Sequence, residues 1–291
     1  MTDSPVFIVG SPRSGTSLLR LLLTCNSELT IPPECGFIIW LKNKYGAWCE
    51  SCCDDSWVLD SFLADLLSTR KFDTWSLSED QIRSAILKKK PVTYQTLCSI
   101  IYKEYSLLLG KRAKLWGDKN NFYIDHLNDL SMLYPQAKFI HIIRDGRDVA
   151  CSYQETMQQQ YSSMYAPTLP TQISVIARQW TRNVLTAAKF FDNSDVSSLT
   201  IGYESLVNQP KRMLRDCCDF LEIKFSEDML EFHKKNIAMQ LEPAATLDWK
   251  MRTLEPINAN TVGRFRNMLS DTEVNDFQIV AMSALKKYGY L

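Results

Sequence analysis

Two rhythms of apolar residues alternate along this chain. Short unbroken apolar runs give way to turn residues, then to longer stretches in which apolar positions return every three or four residues. The first rhythm belongs to strands buried on both faces, the second to helices with one buried side. The opening run Val6-Phe7-Ile8-Val9 predicts a strand, and Leu18-Leu19-Arg20-Leu21-Leu22-Leu23 predicts the helix after it, the unit closing near Thr24. A turn at Ile31-Pro32-Pro33-Glu34-Cys35-Gly36 comes next. Residues 37–109 read as mostly helical, with helices over 58–68, 79–89 and 94–109. A short buried strand is predicted at 114–118, a turn at Lys119-Asn120-Asn121 and a helix to about Leu133. Residues 138–144 form the clearest second strand, followed by a turn at Asp145-Gly146 and a helix opening near Asp148. A helix over 171–191, a third long strand over 198–203 and helices over 210–221 and 227–236 follow. Residues 240–267 read as irregular, broken by Pro243 and Pro256, and a last helix spans 271–287.

Strands alternating with helices predict an α/β fold of three layers, a central parallel sheet flanked by helices. Ligands of such sheets bind at the carboxyl ends of the strands, so chemistry is sought in the turns there. The first of these turns carries the strongest signal. Gly10 and Gly15 bracket Ser11, Pro12, Arg13 and Ser14, and Thr16 and Ser17 open the helix. Strand, glycine-bracketed turn and helix N-terminus together cradle anions, because backbone N–H groups converge and the helix dipole adds to them. The spacing is that of the nucleotide-triphosphate loop, G-x-x-x-x-G-K-[ST], which makes the fold P-loop-like. Thr16 stands where that loop has the lysine that reaches the β- and γ-phosphates. A phosphorylated nucleotide is expected there, without ordinary ATP or GTP transfer, and with Arg13 as the loop's cation.

Composition narrows the partners. Acidic and basic residues balance at 33 each, so no bulk nucleic-acid or membrane-surface binding is expected. No secretory leader and no transmembrane run is visible, and a cytoplasmic location is the expectation. The cysteine count, nine, is odd, so free thiols are expected rather than a disulfide framework. The Cys49/Cys52/Cys53 cluster lacks a partner pair at zinc spacing and reads as buried or partly buried small hydrophobes in a helical segment. The length suits one domain, 1–291, with the helical stretch of about 37–109 as an insertion.

Other candidates sit at the same sheet edge. Arg144 ends a strand and Ser152 lies two turns into the next helix, so the two could grip one phosphate; the plainer reading is exposed charge pairing among Arg144, Asp145, Arg147 and Asp148. Lys119 could replace the missing loop lysine. Glu34 is a candidate general base, with His126 as a competitor. His141 reads as a packed strand residue, and His233 has no partner visible. Arg264 could close over a nucleotide from the irregular stretch.

Together these segments resemble, in order, the sulfotransferase superfamily, which uses 3′-phosphoadenosine-5′-phosphosulfate (PAPS). Ser11-Pro12-Arg13-Ser14-Gly15-Thr16-Ser17 is similar to its 5′-phosphosulfate loop, and Arg144 with Ser152 to its 3′-phosphate motif. Trp116-Gly117-Asp118-Lys119 resembles the segment that brings a lysine to the sulfuryl group, and Tyr203-Glu204-Ser205-Leu206 the segment whose tyrosine lies near the nucleotide. The tyrosylprotein sulfotransferase branch is the most similar. Pro33-Glu34-Cys35-Gly36 stands where that branch has Glu-Glu-Thr-Arg.

The resemblance implies in-line sulfuryl transfer from PAPS to an acceptor hydroxyl. Glu34 would be the base, Lys119 and Arg13 would act at the reacting group, and Arg144, Ser152, Tyr203 and Arg264 would hold the nucleotide. It implies no metal. The acceptor is a small molecule, a glycan or a peptide tyrosine, and a homodimer is a candidate assembly. The 37–109 helices would wall the acceptor pocket, with Phe37, Trp40, Trp48 and Trp57 as candidate linings, although core packing is the plainer reading of each. A P-loop nucleotide kinase or other phosphotransferase is the alternative, and a non-catalytic nucleotide-binding module a third reading.

Overall fold

The computed structural model describes residues 4–291. Five strands, β1 (Val6–Val9), β2 (Leu29–Thr30), β3 (Leu115–Lys119), β4 (Lys138–Ile143) and β5 (Ser197–Gly202), form one sheet in the order β2-β3-β1-β4-β5. Every neighbouring pair is parallel, and Val6 of β1 faces both Gly117 and Lys138.

Period-two alternation decides which core each strand residue enters. Val6, Ile8, Ile140 and Ile142 pack with Leu19 and Leu22 of helix α1 (Thr16–Thr24) and with Cys217 and Leu221 of the helix Pro210–Leu221. Phe7, Val9 and Phe139 face the opposite layer, built largely from the helices between β2 and β3, with Phe37, Trp75, Tyr102 and Trp116 at its centre. Those helices start where their sequences say they should. Asp55 accepts from the Trp57 and Val58 N–H groups ahead of Ser56–Ser68, and Ser78 and Gln81 form a capping box ahead of Glu79–Lys89. A third cluster joins the helices Gly146–Gln158, Ile173–Asp192 and Asp271–Lys287 through Val149, Trp180 and Phe277.

The chain leaves β1 toward β2 and β3 on one side and reaches β4 and β5 on the other. The crevice beyond the carboxyl ends of β1, β3 and β4 is therefore the switch point where such sheets take their ligands.

Several local expectations are corrected. β3 runs through Lys119, which is a strand residue and not part of a turn. β5 ends at Gly202, and Tyr203 opens the short helix Tyr203–Asn208. The stretch expected to be irregular holds the short helical pieces Ala244–Leu247, Asp248–Leu254 and Phe265–Met268. The two-residue β2 went unforeseen, because two residues carry no period. All nine cysteines are free of disulfides; Cys53 is buried and Cys52 partly so, but Cys49 is exposed, contrary to its reading as a buried or partly buried hydrophobe. No helix among the described residues is long and apolar enough to cross a membrane.

Candidate active site

The loop after β1 turns tightly, the Ser14 N–H donating to the Ser11 carbonyl at 3.1 Å. Two of its residues lie in the left-handed region, Arg13 at φ 65° and Gly15 at φ 93°. Glycine is required at 15 twice over: a Cβ there would also sit 2.4 Å from the Tyr203 ring. Gly15→Ala is expected to destabilise the protein by about 1–3 kcal/mol, read as a lower midpoint in urea unfolding. Non-glycine residues at positive φ are held there by their surroundings and gather at functional sites. Arg13 is held by two contacts, its Nε donating to Ser152 Oγ at 3.0 Å and its Nη1 to the Trp249 carbonyl at 2.9 Å. Burial first, then Arg144, push its pKa down to about 10, so it stays charged at neutral pH.

Arg144, just past β4, donates to the Arg13 carbonyl at 3.1 Å and to the Thr261 carbonyl at 2.8 Å. Its guanidinium lies 4.5 Å from the centre of the Tyr203 ring, and the Tyr203 hydroxyl is 2.7 Å from Thr261 Oγ1. The cluster expected to be exposed charge pairing is buried instead. Asp145 does pair with Arg147, at 2.7 Å. Asp148 accepts from the backbone N–H groups of Gly263 and Phe265 at 2.7 and 3.0 Å, which ties the 261–265 segment to the helix. Arg264 pairs with Glu155 at 2.5 Å; it lies behind the cleft wall and not on it.

Glu34 lines the same cleft. Its turn is pinned on two sides, by Trp75 Nε1 donating to the Pro33 carbonyl at 2.9 Å and by Asn120 Nδ2 donating to the Cys35 carbonyl at 3.3 Å. Asn120 also donates to Asp118 at 3.0 Å, and Asp118 accepts from the Tyr102 hydroxyl at 2.5 Å and from the Tyr123 hydroxyl. Burial pushes the Asp118 carboxyl up to about 6. The end of β3 is thus stapled to the Glu34 turn, and the next residue, Lys119, pairs with Glu34 Oε1 and donates to Ser17 Oγ at 3.2 Å. Lys71, at φ 71°, pairs with Glu34 Oε2 at 2.7 Å. Burial alone would raise the Glu34 pKa, but Lys119, Lys250 and Lys71 outweigh it and hold the carboxyl well below its usual range. Burial pushes the Lys119 ammonium down to about 8.

These groups surround a cleft of about 750 Å³. Pro12, Arg13, Gly15, Thr16, Ser17, Glu34, Arg144, Ser152 and Tyr203 line it. Lys119 lies just beneath the wall, its side chain 1% exposed. Ser11 and Ser14 are buried within the loop, and their hydroxyls have no partner. Nor do Arg144 Nε and Arg264 Nε and Nη2. Arg264 lies off the cleft, but Arg144 lines it, and a spare buried cationic donor there is what an anion would satisfy. The chain is neutral overall, yet Arg13, Arg144, Lys71, Lys250 and Arg252 all face this one cleft.

The aromatic linings expected of the helical stretch divide. Trp40 stacks on Phe122, ring centres 5.3 Å apart, and both edge a smaller hollow of about 160 Å³ that shares Glu34 with the main cleft. Phe37 and Trp48 are core residues, and Trp57 is on the surface, 75% exposed. His126 pairs with Asp129 at 3.0 Å and lines neither cavity. His141 is buried in β4, and burial holds it down at about 4.

Lys71 and Lys250 were missed by sequence reasoning. Neither lies at a strand end, and a lysine beside a helix is solvated by default.

Comparisons with known proteins follow the same lines. The profile described as the Sulfotransferase family matches residues 5–227. A putative protein-tyrosine sulfotransferase of Caenorhabditis briggsae is 24% identical over 229 residues, covering 79% of this chain and 69% of that protein. Protein-tyrosine sulfotransferase 1 of Danio rerio is 24% identical over 297 residues, covering 99% of this chain and 73% of that protein. Among solved structures, the sulfotransferase domain from the curacin biosynthetic pathway superposes with a TM-score of 0.63 at 18% identity, covering 97% of both chains. A mouse sulfotransferase complexed with PAP gives 0.52 at 14% identity, covering 99% of this chain and 90% of that one.

Proposed function

The chain belongs to the sulfotransferase family, as a PAPS-dependent enzyme, and from that premise we propose that Glu34 is the base that takes the proton of its acceptor hydroxyl. PAPS supplies the sulfuryl group. The free N–H groups opening α1, with Thr16, Ser17 and Arg13, hold the 5′ side of the donor. Arg144 and Ser152 hold the 3′-phosphate, Tyr203 fixes the plane of Arg144, and Arg264 supports the wall through Glu155. The observation that carries this reading is the contact of Arg13 with Ser152, joined to that of Arg144 with Arg13, which makes one continuous basic surface from two distant sequence segments.

Glu34 must be ionised to accept a proton, and its lysines keep it so. They also make it a weak base. A negatively charged donor gives Lys119 a second partner, and as that ammonium turns toward the donor the basicity of Glu34 rises. The acceptor carries a hydroxyl. The Trp40–Phe122 hollow beside Glu34 suits a phenol, in keeping with the two relatives named for protein tyrosine.

The test is Arg144→Ala. Affinity for 3′-phosphoadenosine-5′-phosphate (PAP), measured by calorimetry, should fall about 10- to 100-fold, the worth of one lost charge-assisted contact, while adenosine 5′-phosphate binds almost as before. Equal losses for both nucleotides would misplace the 3′ site.

pH supplies a second check. Lys119 must keep its proton to act, and its pKa lies near 8, so kcat/KM should decline as pH rises through that value. Glu34 titrates far lower, so no acid limb from it is expected above about pH 5. A profile rising from pH 8 to pH 9 would contradict this assignment.

A further inference from the structure

The segment after the helix Phe232–Met239 lines the cleft and carries a cation that the reading above uses only to help hold Glu34 ionised. The helical stretch Asp248–Leu254 breaks at Lys250, where φ is −126° and ψ 18°, and Lys250 lines the cleft. The preceding residue, Trp249, accepts from Arg13 through its carbonyl, so Lys250 enters beside the phosphate loop. Its ammonium rests 2.5 Å from Glu242 Oε1. Lys250 does not hold Glu242 alone. Arg20 of α1 already pairs with Glu242 Oε2 at 2.7 Å, the Thr246 hydroxyl donates at 2.7 Å, and the Glu242 N–H is satisfied by Asn236. Two cations thus share one carboxylate, and all three side chains are buried or nearly so. An uncompensated buried positive charge is costly and calls for an anion. Arg20 is locked by the Ile31 and Leu241 carbonyls, so the surplus charge is that of Lys250. Lys250 also depresses both the Glu34 carboxyl and the Lys119 ammonium, which places it within electrostatic reach of the two groups assigned to the reaction.

We infer that Lys250 is a further catalytic residue, the cation that meets the negative charge appearing on the 5′-phosphate as the sulfuryl group leaves. It fills from outside the loop the place that Thr16 vacates inside it. This rests on the sulfuryl-transfer reading. In the step, the acceptor oxygen bonds to sulfur, the bond from sulfur to the bridging oxygen breaks, and that oxygen keeps the electron pair. The acceptor proton passes to Glu34, and Lys250 keeps its own proton and donates a hydrogen bond. Glu242 and Arg20 are positioning residues that hold the lysine over the cleft.

The experiment compares Lys250→Met, Lys250→Gln and Lys250→Arg with the parent protein, using PAPS as donor and a phenol acceptor. Met and Gln should lower kcat about 100- to 1000-fold, the usual cost of one preorganised donor, and Arg should restore most of it. Binding of PAP should weaken about 10-fold or more in the Met and Gln variants, while adenosine 3′-phosphate, which lacks the 5′-phosphate, binds as in the parent. Unchanged kcat, or equal weakening for both nucleotides, would overturn the assignment and leave Lys250 a structural partner of Glu242. Failure of the base assignment looks different: Glu34→Gln would then keep its turnover while the Lys250 variants still lost theirs.

Discussion

Glu34→Gln is expected to lower kcat by about 100- to 10,000-fold, the range for loss of a positioned general base. Gln keeps the size of the side chain and can still accept from one lysine, but it cannot take a proton. The nucleotide site is built from other residues, so PAP affinity by calorimetry should stay within about threefold of the parent value. The substitution also leaves Lys119 and Lys71 facing each other without their shared carboxylate. Thermal unfolding with saturating PAP separates that cost from the chemical one: a stable, PAP-binding and inactive variant is the expected result. Turnover near the parent value would remove Glu34 as the base. His126 is a poor substitute, since its imidazole is engaged by Asp129 and lines neither cavity.

Lys119→Met should cost about 100- to 1000-fold in kcat. The side chain lies beneath the wall between Ser17 and Glu34, where water screens it little, and a fixed charge acts most strongly in such a place. Met fills a similar volume without the ammonium. Two further readouts distinguish chemistry from packing. The alkaline limb of kcat/KM near pH 8 should disappear with the group that produces it. Glu34 should become a stronger base once its largest favourable charge partner is gone, so a new acid limb should move upward toward neutrality. A variant that keeps the parent's alkaline limb would mean that another group titrates there.

The loop after β1 and the Arg144–Ser152 segment were legible in sequence because each is a local object. Gly10, Gly15 and the helix after them form a strand, turn and helix within a short span, and Arg144 with Ser152 repeats that logic at β4. Sequence placed Glu34 and Lys119 at the correct edge, but their mutual contact joins segments on either side of the inserted helices and no local pattern encodes it. Lys71 and Lys250 were invisible for a different reason. Each acquires meaning only from a carboxylate on another element, Glu34 for one and Glu242 for the other, and neither pairing follows a helix or strand period. Arg264 was read from the irregular stretch as closing over a nucleotide, but it pairs with Glu155 and does not line the cleft, a placement that depends on Asp148 capturing the backbone around it. Trp57 misled because an aromatic in an apolar run reads as wall or core, while the helix in fact turns it outward.

A crystal structure of the protein with PAP tests the central claim most directly. The expected result is the 5′-phosphate on the backbone N–H groups of Gly15, Thr16 and Ser17, the 3′-phosphate on Arg144 and Ser152, and Glu34 with Lys119 at the 5′ end of the nucleotide. PAP bound outside this cleft, or seated with its 3′-phosphate on the loop after β1, would contradict it.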